Sequence, residues 1–169
     1  GVSFGLALLK PTAATDSAVY YGLSAAAAEI SLVGVSGVTL TATNLSVEVN
    51  GSSDSNFLGR VVNFTSGDLD GDDDADGVMS VSAGPGRSMD LGLSERLLQA
   101  SGTMQVAIGD FVFVNGDFAI RKGFNQTATL SDGSTKEVSV INIGANGLNG
   151  FVGVNGQQGA AGELGVALD

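Results

Sequence analysis

The chain of 169 residues contains no cysteine and no histidine. Without cysteine, disulfide bonds and thiolate chemistry are excluded, and without histidine the commonest general base and transition-metal ligand are missing. A Ser-His-Asp triad therefore cannot form within this chain. Both absences argue against catalysis, and we expect that the protein is not an enzyme.

Basic residues are also scarce: 7 Lys and Arg stand against 18 Asp and Glu, for a net charge of −11. A chain this acidic lacks the basic face that nucleic acids and anionic membranes require, but it favours solubility and cation binding. No apolar run reaches the roughly 18 residues that identify a transmembrane helix. We therefore expect neither a nucleic-acid partner nor membrane insertion.

Proline is rare, with 2 residues, whereas glycine is abundant, with 26. Collagen is excluded because the glycines follow no three-residue period, and disorder is disfavoured by the regularly spaced Val, Ile, Leu and Phe. The length fits one domain or one long repeat unit, 1–169. Because the first residue is glycine, we expect a processed chain, a fragment or one unit of something longer.

Apolar and polar residues alternate with period two along most of the chain, which predicts β-strands. In the run 38–50, VTLTATNLSVEVN, the phase shifts near Thr43 and Asn44, which predicts a bulge or a bend. The four alanines 25–28 would suit a helix, but the alternation that follows favours a strand. A helical turn is plausible only within 89–98, which contains SERLL.

Three more local predictions come from turn residues and short apolar runs. Ser131 to Ser134, SDGS, is predicted to form a hairpin turn, because Asp-Gly supports positive φ. Residues 57–64 are predicted to form a short strand. From Gly144 onward, glycine and asparagine become dense, and we expect short strands with glycine at the corners.

Two stretches, 25–50 and 100–123, share one plan of two β-like runs joined by a glycine corner. Met104 and Val106 recur where Ile30 and Leu32 stood, and the offset is 74 residues before the corner and 73 after it. The two ends echo each other as well, because LGVAL at 164–168 resembles FGLAL at 4–8. Recurrence at a fixed offset is typical of repeat architectures and indicates an internal duplication.

These patterns predict an all-β, elongated, β-solenoid-like repeat unit built of long strands and glycine corners. The alternative is a β-sandwich, either one or two, since regularly spaced strands and turns fit that fold too.

The strongest local signal for a ligand is an acidic loop at 68–77, in which six of ten residues are Asp. The D-x-D-x-D-G spacing lets alternate carboxylates converge on one ion, and hard oxygen ligands favour Ca²⁺. The spacing does not predict an EF-hand, because Ala83 stands where its bidentate Glu would be. We predict a calcium-stiffened loop between strands; the alternative is a solvated acidic loop without an ion. The predicted ligands are Asp68, Asp70, Asp72, Asp74 and Asp76.

Three stretches resemble the tandem repeats of giant bacterial cell-surface proteins of the LEPR-XLL and haemagglutinin-like types. They are VTLTATNLSVEVN at 38–50, GDFVFVNGDFAIRKG at 109–123 and VINIGANGLNGFVGVNG at 140–156. The resemblance implies a secreted protein with a structural or adhesive role, and it offers no catalytic residues.

The duplication, the matching ends and the acidity together favour a structural subunit of an extracellular filament, sheath or adhesin stalk at the cell surface. Its partners would be copies of itself or adjacent repeats, joined head to tail through β-edges and stiffened by calcium. The alternative hypothesis is a calcium-dependent carbohydrate- or surface-binding β-module, whose partners would be surface glycans.

Overall fold

The computed structural model describes residues 1–54, 60–71, 78–154 and 161–168, and all regular secondary structure in these ranges is β-strand. The prediction of an all-β fold is confirmed. The helical turn considered within 89–98 is not formed. In the described part of the chain, no helix has the length and hydropathy needed to cross a membrane. The strands are β1 (Val2–Leu9), β2 (Tyr20–Ser31), β3 (Val38–Ser52), β4 (Met79–Gly84), β5 (Arg87–Leu91), β6 (Leu97–Ile108), β7 (Val112–Thr129), β8 (Thr135–Val154) and β9 (Leu164–Leu168).

Seven of the strands form one antiparallel sheet in the order β1-β2-β3-β6-β7-β8-β9, and β4 and β5 form a separate hairpin between β3 and β6 in sequence. Glycine corners turn the chain between neighbours: φ is +85° at Gly34, +74° at Gly37 and +54° at Gly109. The sheet is therefore a meander in which strands adjacent in sequence are adjacent in space, apart from the inserted hairpin.

The predicted bulge in β3 is confirmed. Its register with β6 shifts between Thr43 and Ser46, and Asn44 between them has a φ of +52°. A bulge places one extra residue in a strand and reverses the side on which later side chains alternate. Val38, Leu40 and Ala42 before the bulge therefore point to the same face as Leu45, Val47 and Val49 after it.

The two stretches that share one plan in the sequence, 25–50 and 100–123, each contribute to a long hairpin, β2–β3 and β6–β7. Ile30 pairs with Ala42 in the first hairpin; Met104 pairs with Gly116, each 74 residues later, in the second. The strand pairing thus relates both arms by the same offset of 74 residues, without the loss of one residue that the sequence comparison placed at the corner. The internal duplication of 25–50 and 100–123 stays a prediction.

The glycine-rich tail forms a short strand only at its end, where β9 has 5 residues and follows Gly162 with a φ of +82°; residues 155–160 lie outside the described ranges. From Gly144 to Val154 the predicted short strands are not formed. β8 is one continuous strand of 20 residues. A Cβ atom at Gly153 would lie 2.2 Å from the carbonyl oxygen of Leu164 in β9. Glycine therefore marks close approach of two backbones here, and not a corner.

The hydrophobic core is small and lies at one end of the sheet, where the β4–β5 hairpin and the loops beside it cover β1 and β2. Residues 60–64 of the predicted strand 57–64 are irregular, and Phe64 is fully buried. Asn50 and Ser52 hold this loop, because the Asn50 Nδ2 donates to the Val62 carbonyl at 2.9 Å and the Ser52 Oγ donates to the Arg60 carbonyl at 2.7 Å. The buried core residues are Ala7, Phe64, Leu91, Leu93 and Leu97.

Candidate functional site

The acidic loop is described only at its start. The Asp68 Oδ1 accepts the backbone N–H of Gly71 at 2.6 Å, and the Asp70 Oδ2 accepts the N–H of Ser80, in β4, also at 2.6 Å. The first bond lies within the loop, and the second ties the loop to the β4–β5 hairpin. The other three predicted ligands, Asp72, Asp74 and Asp76, lie outside the described residues.

Within the ranges that the structure describes, no group of three or more acidic residues is close enough to hold a metal ion. Two of the five predicted ligands are too few to define a calcium site, which needs six to eight oxygen ligands. The calcium loop over Asp68 to Asp76 stays a prediction.

The two outer strands of the sheet are β1 and β9, and each pairs with one neighbour among the described strands. These are the strands that carry the echo between 4–8 and 164–168. A groove of about 890 Å³ borders β1 between Val2–Leu6 and residues 81–89 of the β4–β5 hairpin. An unpaired strand edge is a template on which another strand can pair.

The unpaired backbone groups of β1 can be assigned from the hydrogen-bond pattern. The Ala28 N–H donates to the Gly1 carbonyl at 3.1 Å, and Val2 is paired with Ala27. Hydrogen-bonded and non-hydrogen-bonded pairs alternate along an antiparallel ladder. The odd-numbered residues of β1 therefore bond to β2, and the N–H groups of Val2, Phe4, Leu6 and Leu8 point outward to the free edge.

Apolar side chains cover one face of the seven-stranded sheet; we refer to it as the apolar face. Paired residues of an antiparallel sheet share a face, so rows of side chains can be followed from strand to strand. One such row is Phe4, Ala25, Val47, Ala100, Ile120 and Ile143. A second is Val38, Ile108, Val112, Val152 and Val166.

Both rows lie on the same face. Ala100 belongs to the first row and Ile108 to the second, and both lie in β6. They stand an even number of residues apart, and the pairing of β6 with β7 shows no register shift between them. Alternation with period two therefore points both side chains to one side. Many of these side chains are open to solvent: Phe4 is 60% exposed, Ile143 75% and Val166 70%.

The opposite face of the sheet is polar over its middle strands; we refer to it as the polar face. One of its rows is Glu48, Gln99, Arg121 and Asn142, and another is Thr43, Thr103, Asp117 and Asn146. Side-chain hydrogen bonds join neighbouring strands within each row, from Gln99 Nε2 to Glu48 Oε2 in the first and from Thr103 Oγ1 to Asp117 Oδ1 at 2.6 Å in the second. The Arg121–Glu95 ion pair is half exposed and contributes little stability.

The small core lies on the polar face. Ala7, Gly22, Asn50 and Leu97 form one row in the strand pairing, opposite in phase to the apolar rows, and Phe64 packs against Gly22. The hairpin and its loops thus pack on the polar face of the sheet. No described residue is packed over the apolar face.

The polar face carries one amide-rich hollow of about 200 Å³. Gln105, Asn115 and Asn149 line it and belong to one row. Phe113 and Phe151 form its apolar side, with ring centroids 6.5 Å apart. Amide groups beside aromatic rings can hydrogen-bond and stack on a polar ligand, but the hollow contains no titratable group.

The apolar face is the feature that sequence reasoning missed. Its signal was present in each strand as an alternating apolar set. What the sequence did not contain was the register that aligns these sets across seven strands. No family model matches the sequence, and neither the curated proteins nor the solved structures include a match to it.

Proposed function

We propose that the chain is a structural subunit of an extracellular filament, sheath or adhesin stalk, in which copies or adjacent repeats join through sheet edges. The observation that carries the proposal is that β1 and β9, the outer strands of one open sheet, each have one edge without a partner among the described strands. Added strands extend such a sheet by backbone hydrogen bonds, as in β-augmentation. The absence of cysteine and histidine and the resemblance to surface-protein repeats support a structural role.

The sheet also determines the geometry of a junction. β1 and β9 run in the same direction, because six antiparallel steps separate them in the seven-stranded order. A copy added by translation therefore brings β9 of one chain beside β1 of the next as a parallel pair. Repetition of this step makes an elongated, repeat-built stack, which is the solenoid-like form of the proposal.

The edge role is tested with Leu6→Pro. Proline removes one outward N–H and spares the ladder to β2, and edge strands tolerate it. Leu6→Ala is the matched control, because it shortens the same side chain and keeps the N–H. We expect electron microscopy to show filaments for the wild type and Leu6→Ala, and short or no filaments for Leu6→Pro. Compact particles in all three samples would contradict the proposal.

Calcium is proposed to stiffen the assembly through Asp68, Asp70, Asp72, Asp74 and Asp76. The support for it is their spacing and density in the sequence. We expect filaments to fray in EDTA and to recover when Ca²⁺, but not Mg²⁺, is restored, since Mg²⁺ demands stricter octahedral geometry. A calcium-free preparation that stays fully assembled would remove the calcium role.

A second candidate function, a module that binds surface glycans, is favoured by the amide-rich hollow. Gln105, Asn115 and Asn149 offer donors and acceptors beside the rings of Phe113 and Phe151. A glycan array probed with the monomeric chain, with and without calcium, tests it. We expect Asn115→Ala to lose any bound glycan and Asn125→Ala, on the same strand but outside the hollow, to keep it.

A further inference from the structure

The apolar face is much larger than a soluble chain leaves open without a reason. Five strands, β2, β3, β6, β7 and β8, lie about 4.8 Å apart and run for about ten residues at roughly 3.3 Å each, and the shorter β1 and β9 extend this face to roughly 1,000 Å². Monomeric proteins rarely expose contiguous apolar patches above a few hundred Å². A standard protein–protein interface buries about 800 Å² on each partner. The face is thus large enough by itself for a stable dimer.

The charge distribution indicates what covers this face. The chain has a net charge of −11, yet Glu48, Asp117 and Arg121 lie on the polar face. Lys122, in the middle of β7, belongs to the row of Val49, Leu98 and Ile141. Glu137 lies on the same side of β8 as Ile141, beyond the apolar rows toward the β7–β8 turn. Two copies can therefore meet through the apolar rows with few charges between them, whereas contact through the polar face would bring Glu48 and Asp117 of both copies together.

The shape of the rows also suits a second copy. In the first row, the small side chains of Ala25 and Ala100 lie in the middle, and the large Phe4 and Ile143 lie toward the two sides. Large and small positions that alternate over a sheet can interdigitate with a facing sheet about 10 Å away. A two-fold axis between the copies then brings the same apolar face of each chain into contact, so that large positions of one copy can face small positions of the other.

We infer that the apolar face binds the same face of a second copy of this chain, so that the functional unit is a two-layer sandwich of two sheets. The sandwich fold then arises between chains and not within one. This pairing uses side chains of the sheet face, whereas the proposed filament uses backbone groups of the strand edges. It adds a second layer to the filament and does not depend on edge pairing.

The test is a matched pair of substitutions in β8, Ile143→Lys and Asn142→Lys. The two residues are neighbours in one strand, both are exposed, and they lie on opposite faces. Both variants are made in Leu6→Pro, which blocks edge growth and keeps an apolar side chain on the face. Analytical ultracentrifugation then reports the dimer, at twice 16.8 kDa, against the monomer.

We expect a dimer for Leu6→Pro and for its Asn142→Lys form. Ile143→Lys is expected to weaken dimerisation about 100-fold or more, because an unpaired charge is buried twice in each dimer. A Leu6→Pro chain that stays monomeric up to about 100 µM would overturn the inference. Equal behaviour of the two lysine variants would overturn it too, as would a monomer that binds detergent micelles through this face.

A cross-linking experiment gives a second readout that does not depend on a disruptive charge. The chain has no cysteine, so Ala100→Cys introduces one thiol in the middle of the apolar face, and Ser101→Cys places one on the polar face. We expect a bifunctional maleimide spanning about 10 Å, the distance between packed sheets, to link two Ala100→Cys chains and to leave Ser101→Cys chains single. The reverse result would contradict the inference.

The two proposals fail separately. If the edge variants abolish filaments but Ile143→Lys has no effect on self-association, edge assembly stands and the two-layer unit is wrong. If Ile143→Lys converts dimers to monomers while no preparation forms filaments, the two-layer unit stands and the filament is wrong.

Discussion

Gly22 lies beneath the ring of Phe64, where the loop over the polar face meets β2. A Cβ atom at this position would lie 2.5 Å from the Phe64 Cε2, closer than any side chain tolerates. Phe64 is fully buried in the small core and has no room to retreat. One missing methyl group therefore determines whether the loop can dock on the sheet.

We expect Gly22→Ala to lower the free energy of unfolding by about 1–3 kcal/mol, the usual cost of overpacking a core. Urea unfolding followed by far-ultraviolet circular dichroism measures it. Gly144→Ala is the control, because that glycine also lies in a long strand but has nothing within 4 Å of its Cβ position. A loss for Gly144→Ala equal to that for Gly22→Ala would contradict the role of the Phe64 contact.

At the scale of the element, the bulge in β3 depends on Asn44. Its φ of +52° lies in the left-handed region, which Asn and Gly adopt more readily than other residues. The bulge keeps apolar residues on one face along the whole of β3. A strand without it would turn half of its apolar residues to the polar face.

We expect Asn44→Val to cost about 1–2 kcal/mol in the free energy of unfolding, because a β-branched residue is strained at positive φ. Asn44→Gly should be neutral or nearly so. Chemical denaturation of the two variants beside the wild type measures the difference. Equal stability of Asn44→Val and Asn44→Gly would mean that the bulge does not require the left-handed conformation.

The β7–β8 hairpin ends in the turn that the sequence predicted. The Leu130 N–H donates to the Ser134 carbonyl at 2.8 Å, and Gly133 has a φ of +82°. The Ser134 hydroxyl and then the Ser134 backbone N–H, which both donate to the Asp132 carboxylate, lower the pKa of Asp132 from its ordinary value.

A lowered pKa in the folded state means that Asp132 supports the turn above the pKa of the unfolded chain, about 3.9. That support is lost as the pH falls through the folded pKa. We expect Ser134→Ala to raise the pKa of Asp132 toward its ordinary value, since it removes the larger cause. Carboxyl carbon NMR titration measures the pKa, and Ser131→Ala, on the other side of Asp132, is expected to leave it unchanged.

At the scale of the whole molecule, the hairpin and loops cover one face of the sheet, and the exposed apolar side chains lie on the other. The hairpin and loops protect a small core on the polar face, while the apolar face, at roughly 1,000 Å², is uncovered by any described residue. A chain arranged in this way gains much of its stability when a second copy covers the apolar face. Its unfolding is then coupled to association.

We therefore expect the melting temperature of the wild type to rise with protein concentration, by about 2 °C for each tenfold increase in the range where the dimer forms. Ile143→Lys should melt at a temperature independent of concentration, and Asn142→Lys should follow the wild type. Scanning calorimetry over a hundredfold range of concentration measures this. A wild type without concentration dependence would contradict the coupling.

The sequence alone determined what depends on neighbours along the chain. The alternation of VTLTATNLSVEVN predicted a strand, and the shift in its phase predicted a bulge near Asn44. Both predictions depend only on the order of apolar and polar residues along the chain. Asp132-Gly133 likewise predicted a turn, because the preference for positive φ is a property of single residues. The prediction failed at Gly144 to Gly153, where composition indicated corners, because a glycine that turns the chain and one that admits a neighbouring backbone look the same in sequence.

Only the tertiary structure decided which strands are neighbours and in what register. Ala25, Val47 and Ala100 are unremarkable as separate apolar positions, and they become one face because strand pairing sums contacts between residues far apart in the chain. Phe64 could not be recognised as the centre of the core, since its burial depends on a glycine in another strand. The free edges of β1 and β9 and the uncovered apolar face are properties of the sheet as a whole, which no local pattern contains.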